Sequence, residues 1–106
     1  MNDSEFGVLA DAALKQIEVG LERSGADLDF AMVSDHVLEV EFADGSKIIV
    51  NRHDAAQEIW VAARTGGFHY RWDGNAWRDT RRDEELLAAL SKLVSQQAGE
   101  SVSLVA

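Results

Sequence analysis

The chain has 106 residues, 46% of them hydrophobic and 27% charged, which suffices for one folded core and not comfortably for two. Its formal charge of −9 argues against a basic nucleic-acid face and against docking on anionic lipid. With no cysteine it lacks disulfides, thiolate chemistry and cysteine-held zinc or clusters of its own.

Residues 3–24 have helical period. Phe6, Leu9, Ala10, Ala13, Ile17 and Leu21 recur at three- and four-residue intervals. Asn2, Asp3 or Ser4 can cap the start, with Glu5 three residues after Asn2 in capping-box spacing, and Ser24-Gly25 is a stop. Gly20 inside this run costs about 1 kcal/mol relative to Ala. Period-2 runs follow. Leu28, Phe30 and Met32 alternate with polar or small residues, as do Leu38, Val40 and Phe42. Asp44-Gly45 is a hairpin signal leading into Lys47 to Asn51. Ile59 and Val61 alternate with Glu58, Trp60 and Ala62. Gly66-Gly67 is expected to turn, Phe68, Tyr70 and Trp72 alternate next, and Asp73-Gly74 leads to a short strand at Ala76 to Arg78. Residues 81–97 regain helical period through Leu86, Leu90 and Leu93. Thr80 and Asp83 are spaced as a capping box, and Asp83, Glu84 and Glu85 fall in the expected first turn. Val102 and Leu104 alternate after Gly99 and are expected in the groove between the two helices.

A sheet with one wet face must bury the other. Two amphipathic helices at the chain ends can cover it together. The predicted fold is therefore α+β, a two-layer sandwich. An antiparallel sheet of five to six strands carries the N- and C-terminal helices on one face. A single domain spans 1–106: helix 3–24, sheet 27–79, helix 81–97 and tail 99–106. No apolar run reaches the roughly 20 residues of a membrane span. The acidic start lacks a signal-peptide layout, so a cytoplasmic location is expected.

The charge is unevenly spread. Residues 1–44 hold eleven acids and only two bases, Lys15 and Arg23, whereas residues 45–106 hold eight of each. At 100° per residue, Asp11, Glu18 and Glu22 form one stripe opposite the apolar face of the first helix. Asp3 lies near its start, and Asp27 and Asp29 are expected beside its C-terminal half. Exposed carboxylates suit hard cations bound weakly with retained waters. The plain alternative is a solvated face, interrupted by Lys15. The three histidines, His36, His53 and His69, lack metal-motif spacing and read as ordinary surface or strand residues. No phosphate-cradling loop or nucleophile motif is present, so no enzyme is expected. Strand parity points Trp60 and Asn51 to the wet face, where a Trp can anchor a partner; a bulge would instead turn Trp60 into the core.

Residues 1–6, 42–52, 58–62, 66–70 and 96–100, spread over the whole chain, resemble the frataxin family. The Asn51-Arg52 pair, with Trp60 eight residues beyond Arg52, is the most specific part. The resemblance implies a helix–sheet–helix sandwich acting in iron–sulfur cluster assembly. It also implies weak surface binding of ferrous and ferric iron on an acidic ridge. Carried over residue by residue, that ridge is Asp3, Asp11, Glu18, Glu22, Asp27 and Asp29. The ridge would meet the cysteine desulfurase. The sheet surface around Asn51 and Trp60 would meet the scaffold protein. A monomer is expected without iron. Val19 and Arg23 stand where relatives often carry acids, and Gly7 where some carry histidine. Two other functions fit the acidic edge: ferroxidase or iron-storage activity, and an acidic interaction module with no metal role.

Overall fold

The computed structural model describes residues 1–105; Ala106, the last residue of the expected tail, lies outside them. The element order is α1 (Asp3–Ser24), β1 (Leu28–Ser34), β2 (Val37–Phe42), β3 (Lys47–His53), β4 (Glu58–Ala63), β5 (Gly66–Trp72), β6 (Trp77–Asp79) and α2 (Leu86–Ala98). The six strands form one antiparallel sheet in chain order. The two helices pack on one face of it, as the hydrophobic periods require.

Asn2 caps α1. Its side chain accepts from the Glu5 amide at 2.8 Å, and Glu5 returns a bond to the Asn2 amide, which satisfies two otherwise orphaned donors. Gly25 ends the helix at φ 64°, a left-handed conformation that glycine adopts without a Cβ penalty. Phe6, Ala10, Ala13, Leu14, Ile17 and Leu21 are buried against the sheet, while Leu9 is half-buried at the rim. The sheet contributes Leu38, Val40, Phe42, Ile48, Val50, Ile59, Val61, Tyr70 and Trp77, and α2 adds Leu86, Leu90, Leu93 and Val94. On β1 the inward residues Leu28 and Phe30 are only half-buried and Met32 is exposed, because β1 is an edge strand with a neighbour on one side.

Two local expectations are corrected. The β4–β5 turn is Arg64-Thr65, and Gly66 and Gly67 are the first residues of β5, paired with Ala63 and Ala62. The second helix starts at Leu86, not at 81. Asp79 ties down residues 80–83: its carboxylate accepts from the amides of Arg81 and Arg82 at 2.8 and 3.1 Å. Asp83 adopts φ 59°, and Arg78 bridges to Glu85 at the end of β6. Glu85 is the cap, accepting from the Leu87 and Ala88 amides, so the Thr80–Asp83 capping box is not formed and the acids precede the helix.

The tail packs on both helices. Val102 and Leu104 are 6% and 3% exposed. The Ser95 and Ser91 hydroxyls of α2 accept from the Val102 and Leu104 amides, each at 2.9 Å. On α1, a Cβ at Gly20 would stand 3.1 Å from the Leu104 carbonyl oxygen. The glycine that weakens α1 locally is what lets the tail lie against it.

Candidate functional site

Two surfaces follow from this architecture. The first is the edge made by α1 and β1. Asp11, Glu18 and Glu22 form a stripe along α1, with Glu18 half-buried and the other two exposed. A cleft between α1 and the β1–β2 turn is lined by Asp11, Glu18 and Asp35, together with Lys15, His36 and Arg52. Asp35, which was not among the ridge residues expected from the sequence, thus joins the edge. Its signal was its place in the turn that faces the α1 stripe.

Asp11 is not a free carboxylate. Arg52, at the end of β3, donates to it from Nη1 at 2.7 Å. The same guanidinium donates to both Asp54 oxygens at 2.8 and 3.1 Å and lies over the Phe6 ring. Its side chain is 14% exposed. The hydrogen bond to Asp54, and then that to Asp11, raise its pKa against the opposing effect of burial. The Arg52 hydrogen bond likewise lowers the Asp54 carboxyl. Gly7 lies beside this guanidinium: a Cβ at that position would stand 3.4 Å from Arg52 Nη2, an ordinary van der Waals contact.

The other ridge residues are spread along the same edge. Asp3 accepts from Gln57 Nε2 at 3.2 Å, and Asp27 is exposed beyond the Glu22 end of the stripe. Asp29 is placed differently from the expectation. It pairs in register with Glu41, between the inward Leu28 and Phe30, and so lies on the outer sheet face, away from α1. Among the described residues, no group of three or more His, Asp or Glu is placed to hold a metal ion. This edge offers separate, mostly hydrated carboxylates rather than a cage.

The second surface is the outer face of the sheet. The register across β3, β4 and β5 places Asn51, Trp60 and His69 in one row and His53, Glu58 and Arg71 in the next. Trp60 faces outward, half-buried, as parity predicts; no bulge intervenes in β4. Its indole lies between two imidazoles. The His53 ring stacks at 3.7 Å between centroids with planes 19° apart, and the His69 ring at 4.4 Å and 10°. Each such aromatic pair is worth about 0.5–1.5 kcal/mol beyond its buried area.

Glu58 forms the floor. Its side chain is 9% exposed. One oxygen accepts from Trp60 Nε1 at 2.8 Å and the other from Arg71 Nη2 at 2.7 Å. His69 Nδ1 stands 3.7 Å from the first oxygen. The Ala56 amide donates to His53 Nδ1 at 3.2 Å, which makes that nitrogen an acceptor and leaves Nε2 to carry the proton. A nearly buried carboxylate is thus paired with an arginine and an indole N–H, so the cost of burial is offset. His53 and His69 are strand residues on the outer face, as read from the sequence, but their stacking on Trp60 was not foreseen, nor were Glu58 and Arg71. All four share the outward parity of Trp60, which was the available signal.

The family model described as a frataxin-like domain matches residues 1–100. The chain is 62% identical over 104 residues to the iron-sulfur cluster assembly protein CyaY of Dechloromonas aromatica, covering 98% of this chain and 99% of that one. It is 51% identical over 110 residues to the protein of the same name from Ralstonia nicotianae, covering 100% and 96%. The solved frataxin of Psychromonas ingrahamii superposes with a TM-score of 0.92 at 37% identity, over the full length of both chains. No described helix is long and apolar enough to cross a membrane.

Proposed function

Since the chain belongs to the frataxin-like family, we propose that it takes part in iron–sulfur cluster assembly as an iron-binding protein. In this reading it regulates the complex of cysteine desulfurase and scaffold, or delivers iron to it. Iron, ferrous or ferric, is cargo held weakly on the α1–β1 edge by Asp3, Glu18, Glu22 and Asp27, with Asp11 contributing when Arg52 releases it. Exposed carboxylates keep most of the water shell of a hard cation, which suits loading and release. The same charges would steer the edge to a basic surface of the desulfurase, so that association weakens as salt rises. Asn51 and Trp60 would contact the scaffold from the outer face. The observation that carries this reading is the separation of the two surfaces. A carboxylate-lined edge and an ordered aromatic patch lie on different sides of one small sandwich, so in this reading iron and two partners can be engaged at once.

An amide NMR titration with ferrous iron under argon, repeated with purified desulfurase and with purified scaffold protein, tests it. Iron and desulfurase are expected to shift residues 3–29, and the scaffold to shift residues on β3 to β5 around Asn51 and Trp60. Iron shifts confined to the outer sheet face, or none at millimolar iron, would overturn it.

A further inference from the structure

Trp60 is held on three sides. His53 of β3 covers one face of the indole, His69 of β5 covers the other, and Glu58 of β4 accepts its N–H. Each of these groups is itself fixed. The Ala56 amide anchors His53 Nδ1, Arg71 anchors Glu58, and the register places His69 directly opposite Trp60. An outward tryptophan on an open sheet would sample several rotamers, and a partner would have to select one on docking. Here both faces and the one donor are already engaged, so the side chain has one orientation before any partner arrives. A partner meets the indole edge and the outer faces of the two imidazoles, with Asn51 beside them in the same row as Trp60.

We propose that His53 and His69 are positioning residues, a two-sided clamp that pre-orders Trp60 for docking on the outer sheet face. This rests on the reading of that face as the partner surface. The clamp acts through shape and stacking: a partner that contacts Trp60 is spared the cost of ordering it. Freeing one side chain of this kind weakens binding by roughly two- to tenfold.

The test uses the full chain, purified scaffold protein from the same organism as the probe, and the indole N–H signal of Trp60 in ¹⁵N spectra. Trp60→Ala identifies that signal among the three tryptophans and tests the surface itself. The variants are His53→Ala, His69→Ala, the double alanine, and His53→Phe with His69→Phe, which restores two rings without imidazole chemistry. Relaxation and solvent exchange of the indole N–H report its order, and titration reports affinity. The double alanine variant is expected to give a mobile, faster-exchanging indole and roughly two- to tenfold weaker binding. The double phenylalanine variant is expected to recover both. Single alanine variants should fall between, and serve if the double variant does not fold. Three results would overturn the positioning role. One is parental affinity and indole order in the alanine variants, with binding lost in Trp60→Ala. A second is weaker binding with an unchanged indole signal, which assigns the imidazoles to direct contact. The third is parental affinity in Trp60→Ala, which removes the docking surface and the clamp together.

Discussion

The α1–β1 edge and the outer sheet face are both polar, yet they are built on opposite plans. On the edge, most acids face water without charged partners, and the ion pairs of Arg52 with Asp11 and Asp54 quench charge rather than concentrating it. On the outer face, Glu58, Arg71, Trp60 and the two histidines are locked to one another at hydrogen-bond and stacking distances. The contrast separates two ways for a surface to act. A field of hydrated carboxylates works at long range and is sensitive to salt. A pre-ordered aromatic patch works by contact and tolerates salt.

The largest expected effect belongs to neither surface and calibrates both. Truncation after Gly99 removes Val102 and Leu104, whose burial is worth about 1.5–3 kcal/mol each. Chemical denaturation should show a loss of several kcal/mol, and both surfaces should weaken together. An unchanged midpoint would mean that the tail adds nothing to the core.

Within the outer face, Glu58→Ala is expected to cost about 1.5–3 kcal/mol, since it strips charge-assisted partners from Arg71 and leaves the Trp60 N–H without its acceptor. Ferrous-iron shifts on the edge should persist. Loss of iron binding in this variant would show that the two surfaces are coupled. Trp60→Ala gives up two ring stacks, about 1–3 kcal/mol in sum, and stays below the 3–5 kcal/mol of a fully buried tryptophan. A thermal melt that collapses entirely would place Trp60 in the core and erase the contrast.

A smaller effect is expected from pH. Asp54 titrates below its ordinary value when folded, chiefly because Arg52 bonds it. Its contribution is therefore complete above the unfolded carboxylate pKa of about 4 and is lost as pH falls through the lower folded value. In Arg52→Met, which keeps an apolar stem over Phe6, stability should depend less on pH in this acid range. A denaturation series between pH 5 and pH 2 checks it; identical acid profiles for parent and variant would remove the Asp54–Arg52 linkage.

The smallest change in stability carries the sharpest functional test. Reversing Glu18 and Glu22 to Lys exchanges one like-charge pair for another but lowers the net negative charge concentrated on the acidic edge, and should stabilise the isolated domain by only a few tenths of a kcal/mol. It should also abolish the iron shifts and the desulfurase binding. Opposite signs for stability and function mark a working edge. If the reversed variant takes up iron and desulfurase as the parent does, the carboxylates are only a solvated face.

Much of this was legible in the chain. Period-3.6 and period-2 hydrophobicity separated two helices from five to six strands, the two-layer packing followed from one wet sheet face, and parity offered an outward Trp60 with a bulge into the core as the alternative. These features depend on main-chain periodicity, which each segment carries within itself. The tertiary structure decided the rest. The start of α2 at Leu86 depended on Asp79 capturing the next two amides. Arg52 reached across 41 positions to Asp11, and Gly20 proved to be the seat of Leu104. Asp29 went to the far side of the β1 edge by register with Glu41. The pairing of His53, Glu58, Trp60, His69 and Arg71 required the exact register of three strands, and that register is set by turn lengths and cross-strand packing together. A one-residue slip would carry every one of these side chains to the other face, so no local pattern could name the partners before the sheet was assembled.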